Sequence, residues 1–146
     1  MSLPIDEIWV QLTLVLFLLI SSALISGAEV AFFSLQIKSL EDTEDAELTQ
    51  SIKRVISLLK KPKRLLATIL VANNFINIAI VLLFASLSKT IFKSIENQFI
   101  VLFIEIGIIT TIILIFGEIL PKIYANRNAL AFSKRIAPII RFLDKF

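Results

Sequence analysis

Three long runs of apolar residues, separated by polar stretches, dominate the pattern along the chain. They cover about residues 8–35, 65–88 and 99–120. A helix that crosses a bilayer needs about 20 predominantly apolar residues, so each run is long enough to span a membrane. The pattern therefore predicts an all-α membrane protein with three transmembrane helices.

Two amphipathic segments lie beside these runs. In residues 36–64 apolar side chains recur at helical spacing, which predicts a surface helix hairpin at the membrane. Residues 122–146 repeat apolar side chains at spacings of four and three around Pro138, which predicts an interfacial belt helix kinked at that proline. Pro62 is expected to mark the break before the second span.

The basic residues predict the orientation of the spans. Seven Lys or Arg lie in residues 36–64 and six in residues 122–146, against two in residues 89–98 and none before the first run. By the positive-inside rule the N-terminus is expected outside, with the middle segment and the C-terminus in the cytoplasm. Acidic residues precede the first run where a signal peptide would be basic, so this run is expected to be a retained span.

The amino-acid composition excludes several kinds of site and classes of function. The chain is 57% hydrophobic and lacks both cysteine and histidine, and its mean hydropathy is +0.88. These values, with a length of 146 residues, indicate a single membrane domain. We expect a multi-pass protein of the inner (plasma) membrane, in a bacterium. Disulfides, thiolate zinc sites and histidine acid–base chemistry are excluded. A net charge of +3 does not indicate nucleic-acid binding. No nucleophile–base pair or cofactor loop is readable, so an enzyme is not expected.

Polar residues inside the first span share one helical face. Ser22, Ser26 and Glu29 are spaced i, i+4, i+7. Gly27 is predicted to be a weak point at which the helix opens and exposes carbonyl oxygens. The alternative is a seam of small residues where membrane helices touch, although Glu29 does not fit that interpretation well.

The second span contains two amides on one face. Asn73 and Asn77 are spaced i, i+4 in a run otherwise free of strongly polar side chains except Asn74. A buried amide needs partners, which in a membrane are neighbouring helices or an ion. Interhelical hydrogen bonding and cation binding both remain open for these residues.

The third span ends in a carboxylate beside helix-breaking residues. Pro121 has no N–H, so the carbonyl of Gly117 loses its usual helical donor. Glu118 adds a charge at membrane depth, where ionisable residues usually have a function. The alternative is a kinked helix whose glutamate pairs with Lys122 or Lys134 near the headgroups.

The three polar faces are expected to lie in the same, inner half of the bilayer, measured from the basic residues that flank each span. Together they offer hydroxyl, amide, carbonyl and carboxylate oxygens, which suit a hard cation such as Mg²⁺ or Na⁺. Discontinuous helices commonly form such sites in transporters.

Other acidic residues are not assigned to this site. For Glu105 the sequence predicts no function. The acidic run at 41–47 is predicted to be a solvated face, with cation sensing as the alternative.

Three stretches resemble one family. They run from Ser22 to Ala31 (S-x-x-x-S-G-A-E-V-A), from Leu70 to Asn77 (L-V-A-N-N-F-I-N) and from Phe116 to Lys122 (F-G-E-I-L-P-K). Together they resemble the transmembrane domain of the CorC/CNNM magnesium transporters, over nearly the whole chain. The third stretch is the most specific.

The resemblance implies a homodimer that exports Mg²⁺ from the cytoplasm, driven by inward movement of Na⁺. It also implies that dehydrated Mg²⁺ is held by five positions, here Ser22, Ser26, Asn73, the Gly117 carbonyl and Glu118. Supporting roles are expected for Gly27, Glu29, Asn77 and Pro121.

Members of that family usually continue into cytoplasmic CBS domains that bind ATP. This chain has no such segment, so an ATP site is not expected in it, and the CBS domains are expected to follow in the full-length protein. A different class of function also remains open: a structural or regulatory membrane module that assembles a larger complex and transports nothing.

Overall fold

The computed structural model describes residues 5–41 and 50–145, except for the side chains of residues 39 and 41. Every regular element within these ranges is helical, so the all-α prediction is confirmed. The acidic run at 41–47 lies outside the described side chains. In chain order the elements are α1 (Ile5–Phe33), α2 (Ile37–Glu41), α3 (Gln50–Leu59), α4 (Pro62–Ile91), α5 (Gln98–Ile112), a π-helical segment (Ile113–Ile119), α6 (Leu120–Arg127) and α7 (Ala129–Asp144).

Three helical stretches are long and apolar enough to cross a membrane. They are α1, α4 and the continuous helix Gln98–Arg127, which joins α5, the π-helical segment and α6. Large apolar side chains point outward along them, for example Phe75 (74% exposed) and Phe103 (76% exposed). Such exposure is unfavourable in water and favourable in lipid. The prediction of three transmembrane helices is confirmed.

Local sequence explains where two of the spans begin. Pro62 lies in the first turn of α4, where the missing N–H of proline removes no helical hydrogen bond. Asn97 precedes α5, and its Oδ1 accepts a hydrogen bond from the Phe99 N–H at 3.0 Å. This cap satisfies one of the free N–H groups at the start of the helix.

The third span is longer than the apolar run that predicts it. The run ends near residue 120, but the helix continues to Arg127, and Asn128 separates it from α7. Pro121 does not end the helix because it stands in the first turn of α6, directly after the π-helical segment. The predicted belt helix is therefore α7, with Pro138 inside it.

Helices α1 and α4 form an antiparallel pair. Gln11 Nε2 donates to Ser86 Oγ at 3.4 Å, whereas Ser22 faces Asn73 and Asn77. Residue numbers therefore rise along α1 as they fall along α4. The π-helical segment, α6 and α7 also pack against α1, which makes α1 the central helix of the fold.

Two apolar clusters fill the interior, with the polar residues of α1 and α4 between them in sequence. The first, at the end that carries α3 and α7, includes Ile25, Phe32, Val55, Leu65, Ile69 and Ile140. The second includes Ile80, Phe84, Ile109 and Ile113, with Leu19 packed against it. Ser22 lies between Leu19 and Ile25 along α1, and Asn73 and Asn77 lie between Ile69 and Ile80 along α4. Apolar layers therefore flank the polar level on both sides.

Gly27 allows α7 to approach α1 closely. A Cβ atom at this position would lie 2.6 Å from Cζ of the Phe132 ring, which is closer than van der Waals contact permits. The α1 helix runs through Gly27 without a break. The predicted opening of the helix at this glycine is therefore not what the structure contains, because the space left by the missing side chain is filled by an aromatic ring.

We expect Gly27→Ala to destabilise the protein by about 1–2 kcal/mol, because the added methyl group overpacks against Phe132. Gly107→Ala is the matched control, since a Cβ there meets nothing within 4 Å. It should be neutral or stabilising by up to about 1 kcal/mol, because alanine favours the helix. Thermal unfolding of both variants in the same detergent checks this; equal stabilisation of both would contradict the packing described here.

Candidate cation site

Ser22 is the centre of a polar cluster between α1 and α4. Its side chain is fully buried. Its Oγ lies 2.7 Å from Asn77 Oδ1 and 3.2 Å from Asn73 Oδ1. Three side-chain oxygens from two helices therefore meet at one point, flanked by apolar clusters along both helices.

These three oxygens share too few protons. A serine hydroxyl has one O–H, so it can donate one full hydrogen bond, while each amide oxygen can accept two. When Ser22 donates to Asn77, the amide oxygen of Asn73 keeps its lone pairs unless an amide turns its NH₂ group inward. Because these oxygens have few protons to share, the cluster would favour binding of a cation that prefers oxygen ligands.

The π-helical segment brings Gly117 to the same cluster. A Cβ on Gly117 would lie 3.2 Å from Ser22 Oγ, so the glycine lets the backbone of the third span approach the serine. Within the segment the register shifts, and the Leu120 N–H bonds to the Ile115 carbonyl, five residues back. Pro121 follows with no N–H to offer to the Gly117 carbonyl. Such π-helical turns are frequent at functional sites.

Ser26 contributes a hydroxyl with unused bonding capacity. It lies one turn after Ser22 on the same face of α1, and it is fully buried. Its Oγ has no hydrogen-bond partner among the described residues. A buried hydroxyl without a partner is costly, so this oxygen would gain from a ligand.

Two glutamates lie close to site residues along the sequence, Glu118 next to Gly117 and Glu29 three residues after Ser26. Glu118 is half-buried and forms no ion pair or hydrogen bond within the described chain. Glu29 Oε2 lies 3.6 Å from Lys122 Nζ, with about a third of each side chain exposed (32% and 38%). The lysine of the third motif therefore pairs with Glu29, whereas the alternative considered from the sequence had Glu118 pairing with Lys122 or Lys134.

The structure brings together Ser22, Asn73 and Asn77, with Gly117 beside them. It places Asn77 closer to Ser22 than Asn73, although sequence reasoning gave Asn77 only a supporting role. Ser133 of α7 is likewise fully buried with no hydrogen-bond partner among the described residues, and the sequence pattern did not single it out.

Neutral oxygens predominate in this cluster. Across the described ranges, no three His, Cys, Asp or Glu side chains are grouped as a metal site. Any cation held here would therefore be bound mainly by hydroxyl, amide and carbonyl oxygens, with at most a few carboxylates for charge. Such ligands suit hard cations.

The sequence comparisons identify the family. The family profile for the cyclin M (CNNM) transmembrane N-terminal domain matches residues 13–146. The chain belongs to this family. The CNNM relatives include the Escherichia coli UPF0053 inner membrane protein YfjD, 30% identical over 122 residues, and metal transporter cnnm-4 of Caenorhabditis elegans, 33% identical over 125 residues. UPF0053 protein sll1254 of Synechocystis is 30% identical over 125 residues.

These matches cover most of this chain but a minor part of each relative. They include 81%, 83% and 86% of the chain, and 27%, 26% and 34% of YfjD, cnnm-4 and sll1254 respectively. The chain thus spans about a quarter to a third of the length of these curated CNNM relatives.

We expect Ser22→Ala to destabilise the protein by roughly 0.5–1.5 kcal/mol, because the two asparagines lose their shared partner across α1 and α4. Ser21→Ala is the matched control: the Ser21 hydroxyl only donates to the Phe17 carbonyl of its own helix, at 2.9 Å. It should change stability by less than about 0.5 kcal/mol. Unfolding midpoints in detergent without divalent cations measure the difference, and equal effects would argue against an interhelical role for Ser22.

Proposed function

We propose that this CNNM domain exports Mg²⁺ from the cytoplasm, coupled to inward movement of Na⁺, as a multi-pass protein of the inner membrane. The observation that carries the proposal is the contact of the buried Ser22 hydroxyl with oxygens of the half-buried Asn73 and Asn77, beside Gly117. The relative cnnm-4 of Caenorhabditis elegans is named as a metal transporter.

The chemistry of the cluster fits dehydrated Mg²⁺ as the transported ion. Mg²⁺ requires about six oxygens at 2.0–2.1 Å and gives up its water reluctantly. Replacement of that water needs preorganised oxygens, which Ser22, Ser26, Asn73 and the Gly117 carbonyl would supply. The rigid packing of α1 against α4 and the third span would hold them in place.

Carboxylates would offset the charge of the ion. Glu118 follows Gly117 directly, is half-buried and is unpaired within the described chain. Glu29 lies one turn beyond Ser26 on α1, where Lys122 already neutralises it. Two carboxylates would balance a divalent ion if Lys122 moved away, and one carboxylate would suffice for Na⁺. This difference offers a simple basis for exchange between the two ions.

The homodimer, the CBS domains and the coupling to Na⁺ enter this proposal through family resemblance. Membership of the CNNM family supports them, because the chain carries all three motifs on which the resemblance stands. The large difference in length between this chain and its curated relatives leaves room for further domains in those proteins.

We expect Asn73→Ala and Glu118→Gln each to abolish Mg²⁺ binding measured by isothermal titration calorimetry, while assembly measured by light scattering stays unchanged. The matched controls are Asn74→Ala, at an exposed neighbouring amide, and Glu105→Gln, at the other carboxylate of the third span. Both controls should bind Mg²⁺ within about twofold of the wild type.

Unchanged Mg²⁺ binding in both site variants would contradict the assignment of the cation site to these residues. Transport is tested separately with the purified protein in liposomes. We expect the Mg²⁺ flux to depend on an opposing Na⁺ gradient. A Mg²⁺ flux that is the same with and without the Na⁺ gradient would contradict the coupling.

We expect Lys122→Met to raise the affinity for Mg²⁺ by about twofold to fivefold, because Glu29 loses its competing ammonium group. A single partly exposed charge pair contributes at most about 1 kcal/mol, which limits the gain. Lys89→Met is the control. Lys89 is an exposed lysine near the C-terminal end of α4, and its replacement should leave the affinity for Mg²⁺ unchanged. Weaker Mg²⁺ binding in Lys122→Met would show that the ammonium group does not compete with the ion.

A structural or regulatory module is the second candidate. The observation that favours it is that the Ser22 hydroxyl on α1 faces asparagine oxygens on α4 at hydrogen-bond distance, as in a purely interhelical hydrogen bond. Thermal unfolding in Mg²⁺, Ca²⁺ and Na⁺ discriminates between the two. A transporter should be stabilised selectively by Mg²⁺, whereas a structural module should respond equally to all three salts.

A further inference from the structure

We propose that the protein binds an anionic phospholipid at a site formed by α4 and the end of α7, separate from the cation cluster. The site has two adjacent parts that share Arg64 and Asp144. An apolar groove would hold an acyl chain, and a basic pocket would hold the phosphate. This inference does not depend on Mg²⁺ transport.

The apolar part is a groove of about 520 Å³ along one face of α4. Arg64 and Thr68 line one end, and Phe75 and Ile76 line the other. Twelve residues separate Arg64 from Ile76, which at 1.5 Å rise per residue is about 18 Å. Half of the hydrocarbon core of a bilayer is about 15 Å thick. The groove is therefore about as long as one leaflet is deep.

The walls of the groove face outward from a helix that is long enough to span a bilayer. Val71 is 70% exposed and Phe75 is 74% exposed, and Leu143 of α7 lines the same groove. In a membrane these side chains contact acyl chains. The concave groove between α4 and α7 would hold one of these acyl chains in place.

The basic part lies on the other side of Arg64. A smaller pocket of about 100 Å³ is lined by Lys61, Arg64 and Arg141, together with Ser57 and Asp144. Three cationic side chains and one carboxylate leave a net positive charge there. The pocket and the groove share Arg64 and Asp144. One phospholipid could therefore place its phosphate in the pocket and an acyl chain in the groove.

Asp144 is already neutralised, so it does not prevent anion binding. Its Oδ1 accepts a hydrogen bond from Arg64 Nε at 2.9 Å and lies 3.1 Å from Thr68 Oγ1. Arg64 Nη2 also donates to the Asp144 main-chain carbonyl at 2.9 Å. These bonds use two of the five guanidinium N–H groups of Arg64 and fix its orientation. The remaining N–H groups, with Lys61 and Arg141, would bind phosphate.

Charge complementarity is what selects a lipid over another apolar occupant. A second copy of the chain could cover Val71 and Phe75, but it would not need three cations at the end of the groove. A zwitterionic lipid would fill the groove and would gain less from the basic pocket. An anionic phospholipid uses both parts.

The test measures retained lipid by native mass spectrometry of the purified chain, with phosphatidylglycerol and phosphatidylcholine of identical acyl chains. We expect selective retention of phosphatidylglycerol. Lys61→Gln combined with Arg141→Gln should weaken phosphatidylglycerol binding by roughly tenfold to thirtyfold, since each basic residue near an anionic headgroup contributes about one decade or less. Lys60→Gln combined with Lys63→Gln removes the same charge from exposed residues that line neither part, and should change binding by less than twofold.

A third variant tests the groove itself. Ala67→Trp should fill it and reduce the retention of phosphatidylglycerol, with thermal unfolding in detergent used to show that the fold persists. The proposal is overturned by equal retention of the two lipids, or by equal effects of the two double variants. It is also overturned if Ala67→Trp changes the oligomeric state and leaves lipid retention intact, because a second copy would then occupy the groove.

Discussion

The hydrogen-bonded contact between Ser22 and the two asparagines is the constraint on which the rest of the structure depends. Polar groups inside a membrane bundle must find partners there, because lipid offers none. Ser22 meets that requirement by facing Asn73 and Asn77, which fixes α1 and α4 in one antiparallel register. The apolar clusters then follow on either side of this level, and the third span approaches Ser22 at Gly117, whose missing side chain leaves space for it. Packing and chemistry therefore depend on the same contact.

Under the proposed function, this arrangement would allow a mostly neutral site to hold a divalent ion. Preorganised oxygens would replace the water of the ion, and few fixed charges would be needed if the ion must also leave. The Glu29–Lys122 pair would add a negative charge to this site if the lysine moved away. A site built in this way would bind a cation without trapping it, which suits a transporter of the CNNM family better than a storage or structural metal site.

The number of membrane spans could be predicted from hydropathy alone, since apolar runs as long as those at 8–35 and 65–88 occur mainly in transmembrane helices. The spacing of Ser22 and Ser26, and of Asn73 and Asn77, also gave the correct helical faces. The π-helical segment could not be predicted, because it depends on how Gly117 packs against α1. The filling of the Gly27 position by Phe132 and the choice of Glu29 as partner of Lys122 are likewise tertiary contacts. No local pattern encodes the distance between residues a hundred positions apart.

The most direct measurement of the central claim is a structure determined from crystals saturated with Mg²⁺. The account predicts an ion within about 2.0–2.1 Å of oxygens from Ser22, Asn73 and the Gly117 carbonyl, with the 2.7 Å contact between Ser22 and Asn77 lengthened or rearranged. An ion-free cluster with that contact unchanged under saturating Mg²⁺ would contradict it.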